Sequence, residues 1–337
     1  MKKLILISND KLNFNRKEVS SDFNDTINII EALSKENFLY FFSRKKSTKG
    51  SFKTPLNKNI ELKLSDVFSL NSKDKIVFMI SITPFNFIVY LFIKFLNKKL
   101  KGFVIIRSDG HKEYFIKYGF FGKIVYNFFF ESILKHLKPI IVSKNISNVK
   151  KYKSLRIYPS EIDNTWKKNL KKVSISKAKL FYLGRIKKEK GVFSLVKLMN
   201  ELSIDFKLSI IGIKNKHKSI NKKIKYYAET SKKKRVVEYF DKNNIFILPS
   251  FTEGYPKVIL ESLSRLRPVI VFKEISHVKV NYNGIFVSKR NSKSLQKTII
   301  HILSNYKKIQ KKMKKNKIST KVKFQNDLIN FVKFNKY

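Results

Sequence analysis

The amino-acid sequence predicts an α/β protein with two parallel sheets, each covered by helices on both faces. Three observations carry this expectation. Short apolar runs alternate with helical stretches along the chain, the pattern of a parallel sheet buried on both sides. The length, 337 residues, suits two domains of about 150 residues each. No short-period repeat is present, so the two halves are alike only at the level of the fold.

In the first half the strands fall at Leu4 to Ile7 (ended by Asn9-Asp10), Leu39 to Phe42, Ile76 to Ile82, Phe103 to Arg107, Ile140 to Val142 and Leu155 to Tyr158. Helices fall at Thr26 to Glu36, Phe85 to Leu96 and Phe115 to Leu137. The second half has strands at Leu180 to Leu183, Lys207 to Ile211, Ile245 to Leu248, Val269 to Val271 and Ile285 to Val287. Its helices are Val192 to Leu202, Arg235 to Lys242, Lys257 to Arg267 and Ser294 to Lys307. Lys308 to Asn316 is a lysine-rich helix or tail, and Asp327 to Lys333 a terminal amphipathic helix.

Composition sets the outer limits. Hydrophobic residues make up 43% of the chain and charged residues 29%, enough for ordinary cores and against disorder. There is no cysteine, hence no disulfide framework and no Cys-ligated metal site; a reducing cytoplasm is the simplest compartment. Net charge is +49, from 73 Lys+Arg against 24 Asp+Glu. That balance attracts nucleic acid, anionic lipid or phosphorylated substrates. The same lysine-rich profile, with abundant Ile, Asn and Phe, is what AT-rich codons produce. Whichever its origin, the field favours an anionic membrane surface at modest salt.

Met1 to Ile7 is too short for a signal-peptide core and reads as the first strand. Ile76 to Ile93 is uncharged over 18 residues, the lower bound for a membrane span. Pro84 and Asn86 interrupt it, so a buried strand turning into a very apolar helix fits better. The aromatic run Tyr118 to Leu137 has lysines along it. It reads as a core helix first and as an amphipathic membrane-interface surface second.

The most informative stretch is Asn244 to Val271. A buried strand, Ile245 to Leu248, is broken by Pro249, Ser250, Gly254 and Pro256. A helix follows, and then a second apolar strand. Glu253 and Glu261 bracket the loop and first helical turn with seven residues between them. Ligands in α/β folds bind at strand carboxyl ends and helix N-termini. Upstream, the strand Leu180 to Leu183 leads into Gly184, Arg185, Ile186, Lys187, Lys188, Glu189, Lys190 and Gly191, and then a helix. Strand, glycine turn, cations and helix N-terminus is an arrangement that holds a phosphate. Arg185 can fork two hydrogen bonds to it and Lys190 adds a point charge.

These residues resemble a known family. E-G-Y-P-K-V-I-L-E looks like the E-x7-E motif of retaining GT-B glycosyltransferases of family four, the group 1 glycosyl transferases. L-G-R-I-x-x-E-K-G is similar to that family's diphosphate-gripping motif, and the two stand in the family's order. Asn283-Gly284 matches its N-G turn. Gly212 matches the glycine of its V-G-x-G-like loop, although Ile213 and Lys214 follow without a second glycine. The resemblance covers Leu180 to Val287 well and the first half loosely. Ser8-Asn9-Asp10-Lys11 stands where such families often have a glycine-rich loop.

The resemblance implies a GT-B fold, two Rossmann-like domains facing a central cleft. Residues 1–163 would be the acceptor-side domain, 164–178 a linker, 179–320 the nucleotide-sugar domain, and 321–337 a helix packing back on the first domain. It implies that Arg185 and Lys190 stabilise the diphosphate leaving group, that Glu261 binds the ribose hydroxyls, and that Glu253 reaches the donor sugar. Gly184, Gly212, Gly254, Tyr255, Pro256 and Lys257 complete the donor side. The strand Ile105-Ile106-Arg107 ends in a loop whose Asp109, His111 and Lys112 are candidates for the sugar or acceptor. His136, His217, His277 and His301 have no ligand-spaced partner and read as structural or solvated.

There is no D-x-D pair, so no metal site and no cofactor are expected. The implied activity is metal-independent, retaining transfer from a nucleotide-sugar donor to a cell-envelope glycan or lipid-linked acceptor. It would take place in the cytoplasm, on the inner face of the membrane. The alternatives are a non-catalytic nucleotide-sugar binder of the same fold, an enzyme of the same fold with other chemistry such as an epimerase, and a basic nucleic-acid-binding protein. For the last, charge is the sole support and no recognition motif is present.

Overall fold

The computed structural model describes residues 2–15, 17–55, 60–61, 75–143, 145–213, 221–279 and 282–334. His217 and Lys214 lie outside them. The chain forms two compact units, residues 1–159 with 322–337, and residues 160–321.

The first unit contains β1 (Lys2–Phe14), β2 (Glu18–Ser21), α1 (Asn24–Leu33), β3 (Asn37–Lys45), β4 (Phe52–Pro55), β5 (Ile60–Glu61), β6 (Lys75–Ile80), α2 (Pro84–Leu96), β7 (Gly102–Ile106), α3 (Gly110–Leu134), β8 (Leu137–Ile141) and β9 (Leu155–Arg156). Seven strands pair in parallel in the order β5-β3-β1-β6-β7-β8-β9. β1 is longer than its apolar run predicts. It passes through Asn9 and Asp10 with a register shift between Ser8 and Lys11. Its far end then pairs antiparallel with β2, which pairs with β4. These short additions have too little periodicity to be read in advance.

The second unit contains α4 (Asn164–Lys167), β10 (Ala178–Leu183), α5 (Val192–Asn200), β11 (Phe206–Ile213), β12 (Ile224–Ala228), α6 (Lys233–Lys242), β13 (Ile245–Leu248), α7 (Lys257–Ser264), β14 (Val269–Phe272), β15 (Ile285–Ser288), α8 (Ser292–Ser304) and α9 (Tyr306–Met313). Its six strands are all parallel, in the order β12-β11-β10-β13-β14-β15. This is the doubly wound order in which the first strand stands centrally and the chain reverses direction beside it. β13 and β14 are buried along their whole length, as strands covered on both faces must be. α7 presses Ile259, Leu260 and Leu263 into the same core. The last helix, α10 (Lys321–Phe334), lies in the first unit. There Lys2 donates to the Val332 carbonyl at 2.8 Å and Lys35 to Gln325 Oε1 at 3.0 Å.

The stretch expected as a linker, 164–178, is instead part of the second unit, and the division falls after Pro159. Trp166 is buried edge-on against Phe240. Two buried arginines just beyond α7 hold the stretch in place. Arg265 forks onto Asp241 at 2.8 Å and donates to the carbonyls of Trp166, Lys168 and Asn169. Arg267 donates to the carbonyls of Lys171, Phe240 and Arg265. Their backbone turns at Leu266, whose φ of 55° is left-handed. The helix expected to reach Arg267 therefore stops at Ser264.

α3 starts earlier than expected, capped by Asp109, and is bent at Gly119 (φ 67°, ψ −156°), a conformation essentially confined to glycine. Much of its aromatic run faces solvent, against the expectation of a core helix. No helix among the described residues is long and apolar enough to cross a membrane.

Candidate functional site

The strand order of the second unit reverses between β10 and β13. Ligands of open α/β sheets bind outside the carboxyl ends of the strands at such a point. The residues that follow these two strands are Gly184 to Gly191 and Pro249 to Pro256, the two motifs singled out by sequence.

Backbone packing fixes the two loops to one another. Gly191 adopts a left-handed φ of 65°, and a Cβ there would lie 2.1 Å from the Pro249 carbonyl oxygen. The Phe251 N–H donates to the Glu189 carbonyl at 2.9 Å. Behind Gly184, the Gly212 backbone approaches so closely that a Cβ would sit 2.0 Å from the Gly184 oxygen. The buried Tyr182 hydroxyl donates to the Arg185 carbonyl at 2.8 Å. Burial, and then the nearby Glu253 carboxylate, push its pKa well up, so it remains a donor.

Side chains complete the junction. Lys190 Nζ donates to Glu253 Oε1 at 2.7 Å, and Ser250 Oγ donates to the same oxygen at 2.6 Å. Both members of the ion pair are largely buried. Arg185 is exposed, and its guanidinium meets no carboxylate among the described residues. Glu261 is half-buried on α7. Gly254 is buried, and the Tyr255 and Tyr282 hydroxyls share a hydrogen bond of 3.0 Å. Pro256 is the N-cap of α7. Lys257, the first residue of that helix, is paired with Glu161 of the segment entering the unit.

Two supporting residues were not marked as part of the site by sequence. Arg290 lies between the rings of Phe251 and Phe272, 4.2 and 4.4 Å from their centroids, and donates to the Pro249 carbonyl at 3.0 Å. His277 Nε2 is 3.0 Å from the Glu253 carbonyl oxygen. Nothing local in the sequence announces either, because both come from beyond β14. Their charge and position after apolar strands were the available signals.

The first-unit candidates are placed differently. Asp109 is buried as the cap of α3, accepting from the Lys112 N–H at 3.3 Å and from Ser147 Oγ at 2.7 Å. His111 is buried between Tyr126 and Phe130, with Nε2 3.1 Å from Asn127 Oδ1. Burial lowers its pKa. Lys112 alone of the three is exposed. Where the first sheet reverses, the structure instead places Arg107, donating to Ser81 Oγ at 2.8 Å and to Asp10 Oδ2 at 3.3 Å. Among the described residues no cluster of three or more His, Asp or Glu is arranged to hold a metal ion.

A six-stranded doubly wound domain with a glycine-cation loop and a carboxylate loop at its switch point is a nucleotide-binding type of site. Residues 165–320 match the family model described as glycosyl transferases group 1. An 89-residue stretch is 30% identical to the putative teichuronic acid biosynthesis glycosyltransferase TuaC of Bacillus subtilis (strain 168), covering 26% of this chain and 23% of that protein. Solved structures resemble the chain over nearly its whole length. Alr3699/HepE of Anabaena, in complex with UDP-glucose, has a TM-score of 0.69 at 10% identity, over 99% of this chain and 100% of that one. WaaG, a glycosyltransferase involved in lipopolysaccharide biosynthesis, has a TM-score of 0.68 at 11% identity, over 98% and 100%. Sucrose-phosphate synthase of Thermosynechococcus elongatus has a TM-score of 0.67 at 12% identity, over 99% and 96%. The fold is GT-B, and the second unit is a group 1 glycosyl transferase domain.

Proposed function

We propose that the protein transfers a sugar from a nucleotide-diphosphate donor to a cell-envelope glycan or lipid-linked acceptor. The reading assigns it to family four, with retention of anomeric configuration and without a metal. The observation that supports it best is the junction at the switch point of the second sheet, where Lys190, Ser250 and Glu253 converge. The donor and acceptor classes are taken from the similar proteins: TuaC of teichuronic acid biosynthesis, HepE in complex with UDP-glucose, and WaaG of lipopolysaccharide biosynthesis.

The chemistry follows from donor and acceptor counts. An ammonium has three protons. Lys190 uses one on Glu253 and keeps two for diphosphate oxygens. Glu253 Oε1 takes two hydrogen bonds, which leaves Oε2 for a hydroxyl of the donor sugar. Arg185, exposed beside Gly184, adds a forked donor to the same diphosphate. As the glycosidic bond breaks, negative charge grows on the leaving diphosphate. Cations already held in place stabilise that charge without reorganising. Glu261 accepts from the ribose hydroxyls, and the N–H groups around Gly254, Tyr255 and the start of α7 face the donor. The positive charge of the chain keeps it on the anionic cytoplasmic face of a membrane, where a lipid-linked acceptor is found.

The test is transfer from labelled UDP- and GDP-hexoses to a lipid extract, followed by nucleoside diphosphate release in the presence of a chelator. Acceptor-dependent release that survives chelation and is lost in Arg185→Ala and Glu253→Gln is expected. A folded protein that neither binds nor turns over any nucleotide sugar would overturn the reading.

A further inference from the structure

We infer that the outer faces of α2 and α3 form a docking surface for an anionic lipid bilayer, entered at the depth of the headgroups. The inference deepens the proposed membrane attachment, and rests on that reading, by naming the surface that makes it.

α2 is apolar on two opposite sides. Asn86, Phe87, Tyr90 and Ile93 face the core. Ile88, Leu91, Phe92, Phe95 and Leu96 face solvent, and Phe95 is 83% exposed. The second set recurs at i, i+3, i+4, i+7 and i+8, the spacing of a single helix face. A helix apolar all round normally has apolar surroundings all round. Here one of the two apolar sides is exposed to solvent. α3 continues the surface. Phe120, Phe121, Ile124 and Phe128 are exposed, Phe121 by 75%. Phe128 lies edge-on to Phe87 of α2, with centroids 5.6 Å apart; Phe87 is one helical turn before the exposed Leu91, so α3 meets α2 at the edge of its exposed face. The bend at Gly119 falls immediately before Phe120 and Phe121. A Cβ there would meet nothing within 4 Å, so no packing demands glycine at that position. The left-handed backbone does.

Isolated exposed apolar residues are ordinary, but a contiguous group of this kind marks an interaction site. Charge selects the occupant. Lys98, Lys99 and Lys101 follow α2, and Lys112, Lys117 and Lys123 line α3, all exposed. From Pro84 to Phe130 the only acids are Asp109 and Glu113. Asp109 is buried, and Glu113 is paired with Lys117 at 3.7 Å. Aromatic side chains ringed by exposed cations that outnumber the nearby carboxylates fit the boundary between acyl chains and anionic headgroups. A second copy of the chain fits poorly. A two-fold interface brings the same patch onto itself, and would set these lysines against one another. No helix among the described residues is long and apolar enough to cross a membrane, and an exposed amphipathic face of this kind lies in the interface plane.

The test is flotation of the full-length protein with vesicles of phosphatidylglycerol and phosphatidylcholine, against phosphatidylcholine alone. The parent should float with the anionic vesicles and far less with the neutral ones. Phe95→Ser with Phe121→Ser should weaken partitioning by about tenfold or more. Lys98→Glu with Lys99→Glu should weaken it most at low salt. Phe121→Trp should show a blue-shifted emission on anionic vesicles, because the native tryptophan, Trp166, is buried in the second unit. All these residues are exposed, so circular dichroism should be unchanged. The inference is overturned if the double-serine variant floats as well as the parent, which would mean that net charge alone holds the protein. It is also overturned if the parent does not float and sediments as a dimer that the double-serine change dissociates. Lipid binding is read without any sugar transfer, so the failure of the proposed activity would leave this result standing.

Discussion

The two sheets reverse strand order in the same way, yet the loops at their switch points differ in kind. In the second unit those loops contain Gly184 and Gly191, and pack so closely that Gly191 leaves no room for a Cβ beside Pro249. Lys190 and Glu253 pair at that junction, largely buried, and Arg185 stands exposed beside Gly184. In the first unit the corresponding stretches are residues 8–11, inside β1, and 81–83, after β6, and neither has a glycine. Asp10, Ser81 and Arg107 satisfy one another there, and Ser81 takes a left-handed φ of 69° without being glycine. One architecture therefore has closely packed glycine loops with charged side chains in one unit, and a self-paired polar cluster in the other. The first unit's more unusual surface is the apolar flank of α2 and α3.

The contrast can be broken most severely in the second unit. Arg265→Ala removes the fork onto Asp241 and leaves that buried carboxylate with Arg267 alone, 3.6 Å away. The expected cost is about 3–5 kcal/mol in urea unfolding, with residues 164–171 becoming protease-sensitive. A change below about 1 kcal/mol would mean that water replaces the guanidinium.

Gly191→Ala comes next. The added methyl meets the Pro249 carbonyl at a left-handed backbone position, with strain of about 1–3 kcal/mol. Nucleotide affinity should fall by at least about tenfold, measured by calorimetry. The matching change in the bent helix of the first unit, Gly119→Ala, should leave nucleotide affinity unaltered.

Lys190→Met is milder. It unpairs a part-buried Glu253 that keeps its Ser250 hydrogen bond, at about 1–2 kcal/mol of stability. It should weaken diphosphate-containing ligands more than the nucleoside alone. Equal losses for both would remove Lys190 from the phosphate.

The smallest effect belongs to the first unit. Burial holds His111 and His136 below the ordinary histidine pKa of 6.5. The unfolded chain then takes up protons more readily than the folded one. Their contribution to stability is complete above pH 6.5 and is lost as pH falls through the lower folded values. Melting temperature should decline over that window, and His111→Gln should flatten the decline. Two carboxylates act at more acidic pH: Asp22, held low by Lys46 and Ser51, and Asp163, held low against the effect of burial by Lys233 and Thr165.

The second unit was legible because its strands are short apolar runs punctuated by glycine and proline, and because each site loop is continuous in sequence. Asn244 to Val271 contains strand, loop and helix in one piece. What sequence could not place depends on distant partners. Lys190 and Glu253 are 63 residues apart, and Arg290 reaches Pro249 across 41. The run from Trp166 to Ala178 is polar, like a linker, and it is distant residues, Arg265, Arg267, Phe240 and Asn244, that make it part of a domain. α2 has no polar face, so hydrophobicity could not say which side was buried. For Asp109 and His111 the place after β7 was legible, but not that a helix begins at Gly110 nor that both side chains turn inward.

The central claim is that the loops after β10 and β13 form a donor nucleotide site. The most direct measurement is a thermal-shift screen of the whole protein against UDP, GDP, CMP and their sugar conjugates without metal, repeated with Arg185→Ala and Glu261→Ala. A ligand at about 100 times its dissociation constant stabilises by roughly 2.7 kcal/mol. The account predicts that one nucleotide family raises the melting temperature of the parent and of neither variant. Equal shifts in parent and variants, or none with any nucleotide, would contradict it.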